Sequence, residues 1–271
     1  MFDAEQRIIA RMAPRLKRVL VADPQQASAR LFNELMRDLV GSFVFSAATT
    51  ERAFRIAESS DPQLIVVEIG DEAVDGLAFT RKLRRSTWTC RQAPVIAVTG
   101  NATAGAILAA RDAGVHEFLR KPYSVKDLLR RLEAVTLRER DWVEGVGYVG
   151  PDRRRFNSGE YAGPLKRKTD GTETPLQQKI NQALKIIRAA VAAAETDPLQ
   201  AMRAMRAQAS IIQSLASDFQ MTLAASAFQR ALDRQAASKQ PFTRADAEAW
   251  ASRLLSFLPR DADAERRANA A

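Results

Sequence analysis

Residues 64–68, Leu64-Ile65-Val66-Val67-Glu68, constrain this chain more than any other stretch. The run is apolar without interruption, rich in β-branched side chains, entered through Asp61-Pro62 and closed by a carboxylate. A strand that is apolar on both faces needs cover above and below, the condition of a parallel sheet packed between helices. In open sheets of this kind, function collects at the carboxyl ends of the strands. Glu68 therefore stands where chemistry is expected.

The flanking sequence extends the pattern. Arg18-Val19-Leu20-Val21-Ala22 ends on Asp23, and Phe43-Val44-Phe45, residues 94–99 and residues 115–119 read as further strands. Helical stretches alternate with them: Ala27, Leu31, Leu35 and Val40 before a Gly41 stop; Ala53, Phe54 and Ala57 behind a cap at Thr49 or Thr50; residues 77–83; Ile107-Leu108 up to Gly114; and Leu128, Leu129, Leu132 and Val135 behind Ser124. Asp23, with Pro24 at a first helical position, is expected to cap the first of these helices. Short connections and strict alternation predict an α/β fold over residues 18–137, a flavodoxin-like doubly wound five-stranded parallel sheet with its crevice beside strands one and three. Asp23, Glu68, Thr99 and Lys121 would converge there. Two acids facing a lysine and a hydroxyl outline a phosphate or metal site. His116, the single histidine, is expected to face outward or fill a sheet edge, and without partners it has no catalytic role.

These residues resemble the CheY-like receiver domains of bacterial response regulators. Asp23 after strand one, position 68 at the end of strand three, Asp75-Gly76, Thr99 after strand four, and Phe118 with Lys121-Pro122 carry the resemblance. It implies the receiver fold and a place in a two-component phosphorelay. In that family an acid pair after strand one and an aspartate ending strand three bind magnesium, and that aspartate takes a phosphoryl group from a histidine kinase. A threonine and a lysine contact the phosphoryl oxygens, and an aromatic on strand five moves inward. Asp23, Thr99, Phe118 and Lys121 match, and Gly70 falls where the family uses a main-chain metal ligand. Two positions depart: Pro24 replaces the second acid, and Glu68 replaces the phosphoacceptor. Magnesium requires near-ideal octahedral geometry, so a site of Asp23, Glu68 and Gly70 is expected to be weak or lost, and no cofactor is expected. The resemblance thus implies a pseudo-receiver. Glu68 either pairs permanently with Lys121 or imitates a phosphorylated aspartate.

Beyond residue 137 the composition changes. Tyr148-Val149-Gly150-Pro151-Asp152-Arg153-Arg154-Arg155 is echoed by Tyr161-Ala162-Gly163-Pro164-Leu165-Lys166-Arg167-Lys168. The Gly-Pro pairs are expected to exclude regular structure, leaving residues 138–173 as a basic linker or docking arm. Its cations Arg153, Arg154, Arg155, Lys166, Arg167 and Lys168 would otherwise grip nucleic acid. Residues 174–258 predict a smaller all-α bundle, read as an interaction or dimerisation module. Thr174-Pro175 opens one helix, with a capping box to Gln177. Asp197-Pro198 opens a second, with Leu199, Met202, Met205, Ala209, Ile212, Ala216 and Phe219 as its seam. A third, capped within 217–220, carries Leu223, Ala227 and Ala231, and Thr243 opens a fourth with Ala247, Trp250, Leu254, Phe257 and Leu258. Residues 138–271 contain no histidine, which excludes histidine phosphotransfer there. Residues 1–17 form an N-terminal extension and 259–271 a polar tail.

The chain has 271 residues, enough for two modest domains, and its one cysteine, Cys90, excludes an internal disulfide and a multi-cysteine metal site. No stretch nears the ~20 apolar residues of a membrane span and no signal-peptide core is visible, so the expectation is a cytoplasmic protein. A net charge of +9 favours acidic partners. The leading expectation is a non-enzymatic signalling protein acting by protein–protein interaction, through a histidine kinase, another response regulator or a downstream effector, or as a homodimer. The alternatives are a response regulator phosphorylated at an unusual acceptor, Glu68 or Asp71, and a nucleic-acid-binding regulator using the basic linker.

Overall fold

The structure, a computed structural model, describes residues 2–138, 140–153, 174–238 and 240–259. Two compact units divide the chain. The first runs through Val143 and resumes at Tyr148; the second takes the turn Glu144–Gly147 together with the C-terminal helices.

In the first unit, β1 (Arg18–Ala22), β2 (Phe43–Ala47), β3 (Leu64–Glu68), β4 (Val95–Thr99) and β5 (Glu117–Arg120) form one parallel sheet in the order β2-β1-β3-β4-β5. All five residues of β3 are buried, as its composition requires. Successive side chains point to opposite faces, so Leu64 and Val66 enter one core and Ile65 and Val67 the other. The first core lies under α2 (Gln26–Val40) and α6 (Val125–Leu137), through Phe32, Met36, Leu128 and Leu132. The second lies under α3 (Thr50–Ser60), α4 (Gly76–Arg85) and α5 (Ala104–Ala113), through Ala53, Ala57, Phe79, Leu83 and Ala110. Each fully buried aliphatic side chain contributes roughly 1.5–3 kcal/mol, so the strand interiors supply much of the driving force. The N-terminal extension is a helix, α1 (Phe2–Met12), that packs on α2 and α6 and sends Met12 and Leu16 into the first core.

Thr49, Asp75, Thr103 and Ser124 each accept a backbone N–H three residues on, starting α3, α4, α5 and α6. Asp23 does not cap α2. That helix begins at Gln26 with Gln25 as its cap, and Asp23 bonds Lys121 and the Gln25 N–H instead. The inward face of α2 also differs: Ala29, Phe32, Met36 and Val40 face inward and Leu31 is exposed.

The Gly-Pro of residues 150–151 does not exclude regular structure. β6 (Trp142–Glu144) and β7 (Val149–Pro151) pair as a two-stranded sheet, and the residues of β7 are buried. Proline suits such a short ladder, where one missing donor costs little. β7 crosses the α5–β5 turn so closely that a Cβ on Gly150 would lie 2.8 Å from Gly114 Cα, and one on Gly114 would lie 2.7 Å from the Val149 carbonyl oxygen.

In the second unit, α7 (Pro175–Ala192), α8 (Pro198–Leu215), α9 (Phe219–Ala237) and α10 (Arg244–Leu255) form a four-helix bundle, α7 and α9 each packing against α8 and α10. Thr174 and Asp197 cap α7 and α8 ahead of their prolines, as expected, and Thr243 forms a capping box with Asp246. The seam differs from the expected one. Leu199 and Phe219 are exposed, and the buried face of α8 is Ala201, Ala204, Met205, Ala209 and Ile212. Asp218 caps α9, which buries Met221, Ala224, Ala225, Phe228, Leu232 and the expected Ala231, while Leu223 and Ala227 face solvent. Small residues at these contacts let the helices approach closely, so alanine marks the core better here than leucine does.

Candidate functional site

The carboxyl ends of β1, β3, β4 and β5 lie side by side, which brings together groups far apart in sequence. Lys121 Nζ donates to Asp23 Oδ2 at 2.8 Å and to Glu68 Oε2 at 2.5 Å. Both carboxylates are buried, whereas the lysine side chain is one-fifth exposed, with a relative accessibility of 20%. Asp23 Oδ1 accepts the Gln25 N–H at 2.9 Å, which orients the carboxylate. Thr99, buried at the end of β4, accepts the Asn101 N–H on its hydroxyl at 3.2 Å, and its carbonyl accepts the Lys121 N–H at 2.8 Å. Gly70, at φ +100°, sits beside the Thr99 hydroxyl, 3.6 Å from where a Cβ would stand. Phe118 is buried among the residues packed under α5.

One ammonium faces two carboxylates, so a negative charge is left over. Burial pushes the Glu68 carboxyl above its ordinary value; Lys121 pulls it down, and Asp23 and Asp71 add to the rise. For Lys121 burial alone would lower the pKa, but hydrogen bonds and attraction from Asp23 and Glu68 outweigh it and the net direction is upward.

Asp23, Glu68 and the Gly70 carbonyl are the groups that would meet a magnesium ion here. Both carboxylates are already bonded to Lys121, Pro24 offers no side-chain oxygen, and among the described residues no three His, Cys, Asp or Glu side chains gather to hold a metal. An ion that demands near-ideal octahedral coordination finds two anionic oxygens facing an ammonium.

Sequence reasoning missed a second buried polar centre. His116 does not face outward; it is buried, and its Nδ1 lies 3.1 Å from Arg84 Nη2 and accepts the Val95 N–H at 3.2 Å. Accepting from both sides fixes the proton on Nε2 and keeps the ring neutral. Burial, with Arg84 and Arg140 nearby, holds its pKa well below the usual value. Arg84 is fully buried and bonds the carbonyls of Gly114, Arg91 and Ala93 as well as His116, which accounts for all five of its N–H groups. Desolvation lowers its pKa to about 9. The only sequence signal was an arginine at a core-facing position of α4.

Of the basic arm, Arg153 is engaged within its own unit, bonding Asp112 at 2.9 Å and lying over the Tyr148 ring at 4.5 Å. Arg154, Arg155, Lys166, Arg167 and Lys168 lie outside the described residues.

Residues 19–133 match the response regulator receiver domain. The chain is 32% identical to the KDP operon transcriptional regulatory protein KdpE of Escherichia coli over 120 residues, 44% of this chain and 51% of that protein. It is 26% identical to the transcriptional regulatory protein PdtaR of Mycobacterium tuberculosis over 142 residues, 52% of this chain and 67% of that protein. Among solved structures, the receiver domain of sensor histidine kinase PA1611 of Pseudomonas aeruginosa, titled as having magnesium in its active-site cleft, is 27% identical, with a TM-score of 0.41 over 44% of this chain and 97% of that one. The chemotaxis protein CheY4 of Vibrio cholerae is 20% identical, with a TM-score of 0.42 over 44% and 98%.

Residues 19–133 are therefore a response regulator receiver domain, the module of two-component signalling. The match ends within α6, so the helical unit stands outside it, and the chain spans about half the length of the first curated relative. Among the described residues no helix is long and apolar enough to cross a membrane.

Proposed function

We propose that this chain is a non-enzymatic two-component signalling protein whose receiver is held in one state by its own side chains and which acts through protein–protein contact. The bridge from Lys121 to both Asp23 and Glu68 carries the reading. In-line phosphoryl transfer depends almost wholly on positioning and on neutralisation by metal. Here the acceptor carboxylate is one methylene longer than aspartate, it is bonded to a cation supplied by the protein, and Pro24 removes a metal ligand. Glu68 thus works as a structural partner of Lys121, and the receiver presents a constant surface. The partner is a histidine kinase, another response regulator, a downstream effector or a second copy of the chain, met in the cytoplasm. Arg153, spent on Asp112 and Tyr148, gives little support to a nucleic-acid grip.

The test is incubation with Mg²⁺ and a small acyl phosphate, followed by intact-mass measurement. No change is expected. A gain of ~80 Da, one phosphoryl group, would overturn the reading and point to Glu68 or Asp71 as an unusual acceptor.

A further inference from the structure

Three side-chain amides are buried in the helical unit where a bundle ordinarily holds aliphatic groups: Asn181 on α7, and Gln200 and Gln208 on α8. The two glutamines are spent on the segment Glu144–Gly145. Gln200 Nε2 donates to Glu144 Oε1 at 2.8 Å and to the Gly145 carbonyl at 3.2 Å, and Gln208 Nε2 donates to the Glu144 carbonyl at 3.0 Å. Val146 then packs on the apolar core of the bundle. Two residues eight apart on one helix lie about 80° apart around the axis and about two turns along it, within one broad stripe. α8 therefore reads a short segment by its carboxylate, its carbonyls and one aliphatic side chain.

That segment leaves the site incomplete. Gln200 is 2% exposed, and its Oε1 is buried without a hydrogen-bond donor. Turning the amide over gives no relief, because the carbonyl oxygen would then face the Glu144 carboxylate and the Gly145 carbonyl. The amide face of α8 thus offers one acceptor more than its resident uses.

We infer that the amide face of α8 is a peptide-docking site for an extended partner segment of acidic-glycine-aliphatic type that brings a donor to Gln200 Oε1. Glu144–Gly147 is the resident such a segment displaces. The inference rests on reading the helical unit as the interaction module, and not on the state of the receiver site.

The probe is a fluorescently labelled peptide with the sequence of residues 141–148, and a second peptide with serine in place of Gly145. A tethered resident competes at an effective concentration in the millimolar range, so the full-length chain with Glu144→Ala and Val146→Ser is compared with the unaltered chain. Anisotropy should show at least ~10-fold tighter binding to the altered chain. The serine peptide should bind more tightly than the first, and adding Gln200→Leu should remove that advantage. Amide exchange on the unaltered chain provides a readout that needs no substitution: millimolar peptide should deprotect residues 144–147. Absence of binding to the altered chain together with unchanged exchange at 144–147, or binding indifferent to Gln200→Leu, would overturn the proposal. Neither result bears on the mass test, so the docking site and the fixed receiver fail separately.

Discussion

Residue by residue, the charged and polar side chains make the sharpest predictions. His116 is the chain's one histidine, so replacing it removes the only imidazole from the pH dependence of stability. Its folded pKa is depressed, and a depressed base contributes stability that is present above the unfolded value and lost as pH falls toward the folded one. Stability should therefore drop by ~1.4 kcal/mol per pH unit below about 6.5. Urea titrations at several pH values should show that component in the parent chain and not in His116→Gln. Lys121 follows the opposite case. Its raised pKa gives stability that is fully present below about 10.5 and lost as pH rises through the folded value. Lys121→Met strands two buried carboxylates and should cost ~2–4 kcal/mol at pH 7, toward the lower end because the lysine is partly exposed. Adding Glu68→Gln should recover part of that loss, and full additivity of the two changes would argue against the bridge. The residues of this site were legible in the sequence, because each stands at a strand end that an apolar run announces. The Arg84–His116 centre was not, because nothing local to an arginine in a helix tells which carbonyls the fold will gather round it.

The elements themselves were legible wherever local chemistry decides them. Thr49, Asp75, Thr103 and Ser124 start helices by hydrogen bonds that span three residues, and β1, β3 and β4 are runs apolar enough to need cover. Helix phase was less legible. α2 starts at Gln26 and not at Pro24, and it buries Phe32 and Met36 while Leu31 faces out, because the face that meets the sheet is chosen by packing and not by local pattern. In α8 the expected Met205, Ala209 and Ile212 are buried, as is Ala231 in α9, but Leu199, Phe219, Leu223 and Ala227 face out while Ala201, Ala204, Ala224 and Ala225 face the core. β7 has the same origin: its place is set by two glycines that let two backbones touch. Gly114, at φ +93°, has no room for a Cβ. Gly114→Ala should cost ~2 kcal/mol or more, and hydrogen exchange should show the β7 amides losing protection with it. Gly41→Ala, at φ +68° but with nothing within 4 Å of an added Cβ, should cost only about 1 kcal/mol by thermal melting.

Over the whole molecule, the receiver match stops at residue 133, but the first folded unit does not. Arg140 donates to the His116 carbonyl at 2.7 Å, Asp152 N–H to the Asp141 carbonyl at 2.8 Å, and Tyr148 Oη to the Pro151 carbonyl at 2.6 Å, so residues 140–143 and 148–153 form a strap across the turn before β5. A chain ending at 137 should melt about 5–10 °C below one ending at 153, taking ~2–3 kcal/mol for the strap at roughly 3 °C per kcal/mol; equal melting temperatures would show that the strap adds nothing. What the sequence alone determined is the part governed by near neighbours: five strands, their covering helices, and strand-end residues that resemble a receiver with its acceptor changed to Glu68. What only the tertiary structure decided is how charges distant in sequence share space. Lys121 lies 53 residues from Glu68 and 98 from Asp23, yet it bonds both. No local pattern can specify that one ammonium will lie between two carboxylates, because the arrangement exists only once the sheet has aligned its strand ends.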